Sequence, residues 1–229
     1  MLDRQQTIAN VVLDHSECAQ VFQRHRIDFC CRGGVSIEAA AALGKVDVEV
    51  LVRELTQAIE DRHGEARADR RELSTPQLIE YIVATHHAYL RKALPFVLAL
   101  AEKVGRVHGA RNPKLNEIAS AVQELGDALL PHLDFEEGVL FPKLLDAHTG
   151  PTELHEPLAE MQSEHLAVAK LLRTIRSAAD DFALPDWACN SYRTLFSELQ
   201  QMESDIFEHV HLENHVLEPR AKGARNGKT

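Results

Sequence analysis

Apolar residues recur every three or four positions along four long stretches, about 76–107, 113–147, 157–182 and 187–220. That spacing gathers them on one face of an α-helix. The breaks fall at His108-Gly-Ala-Arg-Asn-Pro113, Thr149-Gly-Pro151 and Leu184-Pro185-Asp186. Short connections between long amphipathic helices make neighbours antiparallel, so the pattern predicts an all-α chain built on an up-down four-helix bundle. Thr75-Pro76 opens the first helix, with proline where its missing N–H costs nothing. Pro95, Pro131 and Pro142 fall inside predicted helices and are expected to kink or interrupt them. A distortion at Pro131 would help aim the neighbouring His132.

Residues 1–60 carry a different rhythm of short helices. Thr7 to Leu13 is apolar on one side, and Ser16 can cap a helix running to about His25. Asp28-Phe-Cys30-Cys31-Arg-Gly33-Gly34 reads as a turn. Ser36 and Asp47 are caps for helices near 37–43 and 48–60. Residues 61–75 are charged and poor in apolar side chains, so they read as a linker. The expected organisation is a small helical N-terminal domain over 1–60, the linker 61–75, the bundle over 76–222 and a tail over 223–229.

Composition narrows the function classes. The 229 residues carry a formal net charge of −10, which argues against nucleic acid as a partner. No run of eighteen apolar residues predicts a membrane span. The N-terminus lacks the basic and apolar blocks of a signal peptide, so a cytoplasmic location is expected. The four cysteines, Cys18, Cys30, Cys31 and Cys189, suggest no disulfide framework. Thirteen histidines is a high count that calls for a reason.

Two segments supply one. His132-Leu-Asp-Phe-Glu136-Glu-Gly-Val-Leu-Phe-Pro142 and His209-Val-His-Leu-Glu213-Asn-His-Val-Leu-Glu-Pro219 share His, Glu, Val, Leu and Pro at matching places. His-x-x-x-Glu puts both side chains on one helical face, about 6 Å apart along the axis. Imidazole with carboxylate suits a first-row transition metal such as iron. His87 precedes His132 by 45 residues, and His165 precedes His209 by 44. That spacing prefers His87 over His86, which points about 100° away. Four imidazoles and two carboxylates follow, on four helices. If both carboxylates bridge, each of two metals receives two imidazoles and two oxygens; a bridging oxo or hydroxo makes five, and an octahedral ion then keeps one position open for dioxygen or nitric oxide. The ferritin-like alternative needs Glu-x-x-His on two helices, and the bundle offers it only at Glu208–His211, Glu60–His63 lying outside. His211 and His215 read as surrounding or surface groups; Glu137 and Glu164 adjoin ligands, and Glu164 reads as a solvated carboxylate, with a place on an access path as the alternative. Cys30 and Cys31 are either a buried apolar pair or thiols able to bind metal or exchange electrons. Cys18 and Cys189 read as packing residues.

With these motifs in hand, the chain resembles the iron–sulfur cluster repair di-iron proteins, the Repair of Iron Centers (RIC, YtfE/ScdA-type) family. The resemblance rests on the Asp28-Phe-Cys30-Cys31 turn, His87-x-x-Leu-Arg-x-x-Leu-Pro95, the two His-x-x-x-Glu segments, Glu164-His165 and Ala188-Cys189. It implies a hemerythrin-like bundle with a non-haem di-iron centre and a bridging oxo or hydroxo group. The implied metal ligands are His87, His132, Glu136, His165, His209 and Glu213. The implied role is repair of iron–sulfur clusters damaged by oxidative or nitrosative stress, in the cytoplasm, often as a homodimer. Cys30 and Cys31 are the candidates for electron or iron transfer. A carrier or sensor of dioxygen or nitric oxide, and a nitric oxide reductase, remain the alternatives. Redox enzyme activity at the centre stays open.

Overall fold

A computed structural model describes residues 2–61 and 69–223. Residues 62–68 of the predicted linker, His63 among them, and all but the first residue of the predicted tail lie outside the described residues. Among the described residues the fold is helical, with one isolated antiparallel bridge, Thr7 to Ser36. The chain forms two compact units, Met1–Leu78 with Val210–Gly223, and Ile79–His209. The stretch Val210–Gly223, placed by sequence with the bundle, groups with the N-terminal residues.

In the first unit, α1 (Ile8–Asp14), α2 (Cys18–Arg24), α3 (Ile37–Gly44) and α4 (Val48–Glu60) lie close to the expected positions. Their caps explain the boundaries. Thr7, Ser36 and Asp47 each accept a backbone N–H of their helix's first turn. Val11, Phe22, Ile37, Leu51 and Leu55 are fully buried. The last helix is held to this unit through Arg220, which donates to the Leu73 and Arg71 carbonyls at 2.7 Å each.

The bundle has four rods. The first is α5 (Thr75–Ile82), a π-helical segment Val83–His87 and α6 (Ala88–His108). The second is α7 (Lys114–Phe135), a π segment Glu136–Leu140 and α8 (Phe141–Leu145). The third is α9 (Pro151–Ala178). The fourth is α10 (Asn190–Leu212), a π segment Glu213–Leu217 and α11 (Glu218–Gly223).

Pro95 and Pro131 lie inside unbroken helices, so the interruptions expected at those prolines do not occur. The α pattern gives way instead at the three π segments. In two of them the N–H five residues on, Phe141 or Glu218, donates to the carbonyl of Glu136 or Glu213. A proline then follows at 142 or 219, where no N–H is available for the carbonyl four residues back. Pro142 therefore does mark an irregular turn, while Pro131 does not.

The buried stripes show why the site is where it is. On α7 the stripe reads Ile118, Val122, Leu125, Leu129, His132, Glu136. On α9 it reads Leu154, Leu158, Met161, His165, Val168, Leu172, and on α10 Leu195, Leu199, Met202, Ile206, His209. Polar residues thus occupy core positions of an amphipathic pattern. Deeper along the bundle, the Arg176 guanidinium forms a forked ion pair with the buried Glu203 carboxylate, one contact being 2.9 Å.

Candidate metal centre

Glu136 is fully buried, with four imidazoles around its carboxylate. Its Oε2 lies 3.4 Å from His87 Nε2 and 3.7 Å from His209 Nε2. Its Oε1 lies 3.4 Å from His132 Nε2 and 3.8 Å from His165 Nε2. Each oxygen therefore faces its own pair of imidazoles. Glu213 follows His209 by one turn of the same rod and is fully buried. Its carboxylate belongs to both of two groups, His87, Glu136, His209, Glu213 and His132, Glu136, His165, Glu213. In each group one donor atom per residue lies within 4.8 Å of the others. All six residues singled out by spacing come together, on four rods, at buried positions.

Their polarity fits metal ions. His87 Nδ1 bonds Glu137 Oε1 at 2.9 Å, and His132 Nδ1 bonds Glu164 Oε2 at 2.8 Å. A carboxylate acceptor requires the proton on Nδ1, which leaves the lone pair on Nε2 pointing into the centre. His132 Nε2 has no hydrogen-bond partner, and His87 Nε2 faces His209 Nε2 at 3.1 Å. Buried lone pairs and carboxylates gathered at one point are costly without a cation. Imidazole and carboxylate together match iron's preferences.

Glu164 is not the solvated carboxylate expected from sequence. It and Glu137, each with 36% of the side chain exposed, hold a histidine in its tautomer and ring orientation. Glu164 adjoins His165 in sequence yet bonds His132 on another helix, so adjacency gave no cue. Burial works to raise the Glu137 pKa, but the hydrogen bonds from His87 and Arg91 outweigh it and hold the carboxyl below its usual value. Arg91 also bonds Asp134 at 2.7 Å. His86 points away from the group, as helical geometry requires, and its Nδ1 bonds Asp205 at 2.9 Å.

Cys30 and Cys31 belong to neither His/Glu group. They lie in the first unit, on a turn where Asp28 Oδ1 accepts the Cys31 N–H at 2.9 Å and the Cys30 thiol at 3.2 Å. The two sulfurs are 3.7 Å apart. Asn214 and His215 both donate to the Cys30 carbonyl, at 3.1 and 2.8 Å. A Cβ on Gly33 would come within 2.3 Å of the Phe29 carbonyl and 2.7 Å of His215 Nε2, so glycine is required there. The hydrogen bond with Cys31, burial and the nearby Asp28 push the Cys30 thiol well up. His211 is buried against Phe29, and burial followed by the His215 charge lowers its pKa to about 3. Cys18 is buried as expected. Cys189 is not a packing residue: it is exposed, with its sulfur 3.2 Å from His108 Nε2.

Residues 78–221 match the model of the hemerythrin HHE cation binding domain. Residues 4–59 match ScdA_N, a domain of unknown function. The chain is 30% identical over 219 residues to the iron-sulfur cluster repair protein ScdA of Staphylococcus haemolyticus, covering 95% of this chain and 98% of that one. It is 29% identical over 218 residues to the iron-sulfur cluster repair proteins YtfE of Yersinia pseudotuberculosis and Yersinia pestis, covering 95% and 97%.

Proposed function

The chain belongs to the hemerythrin HHE cation-binding family, and from that premise we propose that it is a di-iron protein that repairs iron–sulfur clusters damaged by oxidative or nitrosative stress. One observation carries the metal assignment: each Glu136 oxygen faces its own pair of histidine Nε2 atoms. In this reading His87 and His209 would hold one iron and His132 and His165 the other, with the Glu136 and Glu213 carboxylates shared between them; an oxo or hydroxo group would complete the centre, as the resemblance implies. When bound, the irons supply a redox-active pair able to take a small ligand such as nitric oxide or dioxygen.

The protein's own groups prepare that site. Glu137 and Glu164 accept from Nδ1 of their imidazoles and keep the rings aimed, so that binding needs no rearrangement of the rings. Glu136 and Glu213 offset the cationic charge in a place water does not reach. Phe141 is buried with its ring stacked 5.7 Å from that of His87 and keeps that margin of the site apolar.

The repair role draws on similarity along 95% of the chain to relatives named for that activity. Damaged iron–sulfur proteins are the partners in this reading, with the cytoplasm as the place and a homodimer as the assembly. No helix among the described residues is long and apolar enough to cross a membrane. The N-terminal residues 1–60 serve as a thiol-bearing domain and 76–222 as the bundle, with Cys30 and Cys31 able to accept electrons or pass iron.

The test is to load the full chain with iron, measure its content by metal analysis and Mössbauer spectroscopy, and add it to an enzyme whose cluster has been damaged. Two irons per chain and recovery of enzyme activity that needs the loaded protein are expected. One iron per chain would overturn the di-iron assignment. Two irons without recovery would overturn repair and favour a carrier or a nitric oxide reductase.

A further inference from the structure

The Asp28–Cys30–Cys31 turn has the makings of a second metal site, separate from the bundle's histidines. Its oxygen and two sulfurs lie within 4.8 Å of one another. A tetrahedral ion about 2.3 Å from two thiolates sets the sulfurs about 3.8 Å apart, and with an oxygen about 2.0–2.2 Å away the sulfur–oxygen edge is about 3.5 Å. The observed edges are 3.7 Å between the sulfurs and 3.2 Å from Cys30 Sγ to Asp28 Oδ1. The spacing already matches a chelating set and needs only small adjustment on the oxygen side.

The turn is also built rather than loose. Cys30 is buried, its carbonyl is held by Asn214 and His215, and Asp28 Oδ1 fixes the Cys31 N–H. Gly33 admits the His215 ring where any side chain would exclude it. Such preorganisation lowers the ordering cost of binding. Cys31 is half-exposed, which leaves one side of the donor set facing solvent.

We propose that Asp28, Cys30 and Cys31 bind one thiophilic divalent ion, of the iron(II) or zinc(II) class, through two thiolates and one carboxylate. Two soft sulfurs with one hard oxygen select such ions over magnesium or calcium. Binding replaces two S–H bonds by two metal–sulfur bonds and releases two protons to solvent. The Asp28 oxygen that now accepts the Cys30 thiol becomes a ligand once that proton leaves. The ion binding stands without the repair reading and is tested apart from it.

The experiment uses the full chain with its bundle site already iron-loaded and its thiols reduced, and adds cobalt(II) alone under anaerobic conditions. Cobalt bound by thiolate gives a sulfur-to-metal charge-transfer absorption that histidine and carboxylate sites cannot give. This absorption is expected to saturate at one equivalent per chain and to be displaced by iron(II). Cys31→Ser, at a half-exposed position that folding tolerates, removes it, as does Cys30→Ser. Asp28→Asn, which can still accept the Cys31 N–H, weakens binding by about tenfold or more. Cys189→Ser leaves it unchanged. The proposal is overturned if the reduced wild type shows no such absorption, shows it only at large excess of cobalt, or keeps it in a Cys30→Ser/Cys31→Ser double variant. Circular dichroism and the iron absorption of each variant separate lost binding from lost fold.

Discussion

Replacing Glu164 by alanine leaves His132 Nδ1 without its acceptor at 2.8 Å. The ring can then rotate, and the proton can move to the nitrogen that must bind iron. Losing such a partner typically costs about 10–100-fold in metal affinity, or roughly 1.4–2.7 kcal/mol. Glu164→Gln keeps an acceptor oxygen but loses the charge, and charge-assisted bonds are about twice as strong as neutral ones. Glutamine should therefore fall near the tenfold end and alanine near the hundredfold end. Glu137→Ala should do the same to His87. The affected iron is predicted to differ, the ion at His132 and His165 for Glu164, and that at His87 and His209 for Glu137. The assay is a chelator competition titration that resolves two affinities, with the melting temperature of the iron-free protein as control. Because Glu164 is 36% exposed, the iron-free protein should melt nearly unchanged. Unchanged affinity for both ions in Glu164→Ala would refute the orienting role, and so would a loss mirrored by an equal loss of iron-free stability.

Two further predictions concern the two units. Arg176→Met strands the buried Glu203 carboxylate and should cost about 3–5 kcal/mol, while Arg176→Met/Glu203→Met should recover most of it, as read by urea denaturation of the iron-free protein. Burial, with Glu17 beside it, pushes the Cys18 thiol up to about 12. The unfolded thiol ionises from about pH 8.5 and the folded one does not, so stability should fall as pH rises from there toward 12. Cys18→Ala should flatten that part of the curve, and a curve of unchanged slope would contradict the assignment.

The clustering of the six His and Glu side chains was legible because two constraints coincide in one string of residues. His132, Glu136, His165 and His209 sit at positions where the three-to-four periodicity calls for an apolar side chain. A polar residue at such a place, repeated at matched spacing, has little to do except bind. Two caps were legible for a similar reason: Ser36 and Asp47 act on N–H groups two or three residues away, whereas Ser16, also expected to cap, does not, α2 starting after Glu17 with no side-chain cap. What escaped depends on contacts between helices. Glu164 to His132, Glu137 to His87 and Cys189 to His108 each join positions 32 or more residues apart. The prolines misled for a further reason. Their effect on a helix depends on whether a neighbouring π turn takes up the unmatched carbonyl, and sequence spacing alone does not reveal that turn.

The rod from Asn190 to Gly223 carries one residue more in its π turn than an α-helix of the same rise would hold. That surplus residue makes the chain's length itself a functional quantity. His209 and Glu213 lie at or before the start of the turn, and Arg220 lies beyond it, anchored to the Leu73 and Arg71 carbonyls. Deleting Val216 would restore a regular helix, improve its local hydrogen bonding and leave the residues on either side in phase, because the surplus is taken up within the turn itself. A deletion between the turn and Arg220 would instead swing that side chain about 100° away from its carbonyls. A stretch that reads as a flaw in the helix is thus the one place where this rod can lose a residue and keep its register.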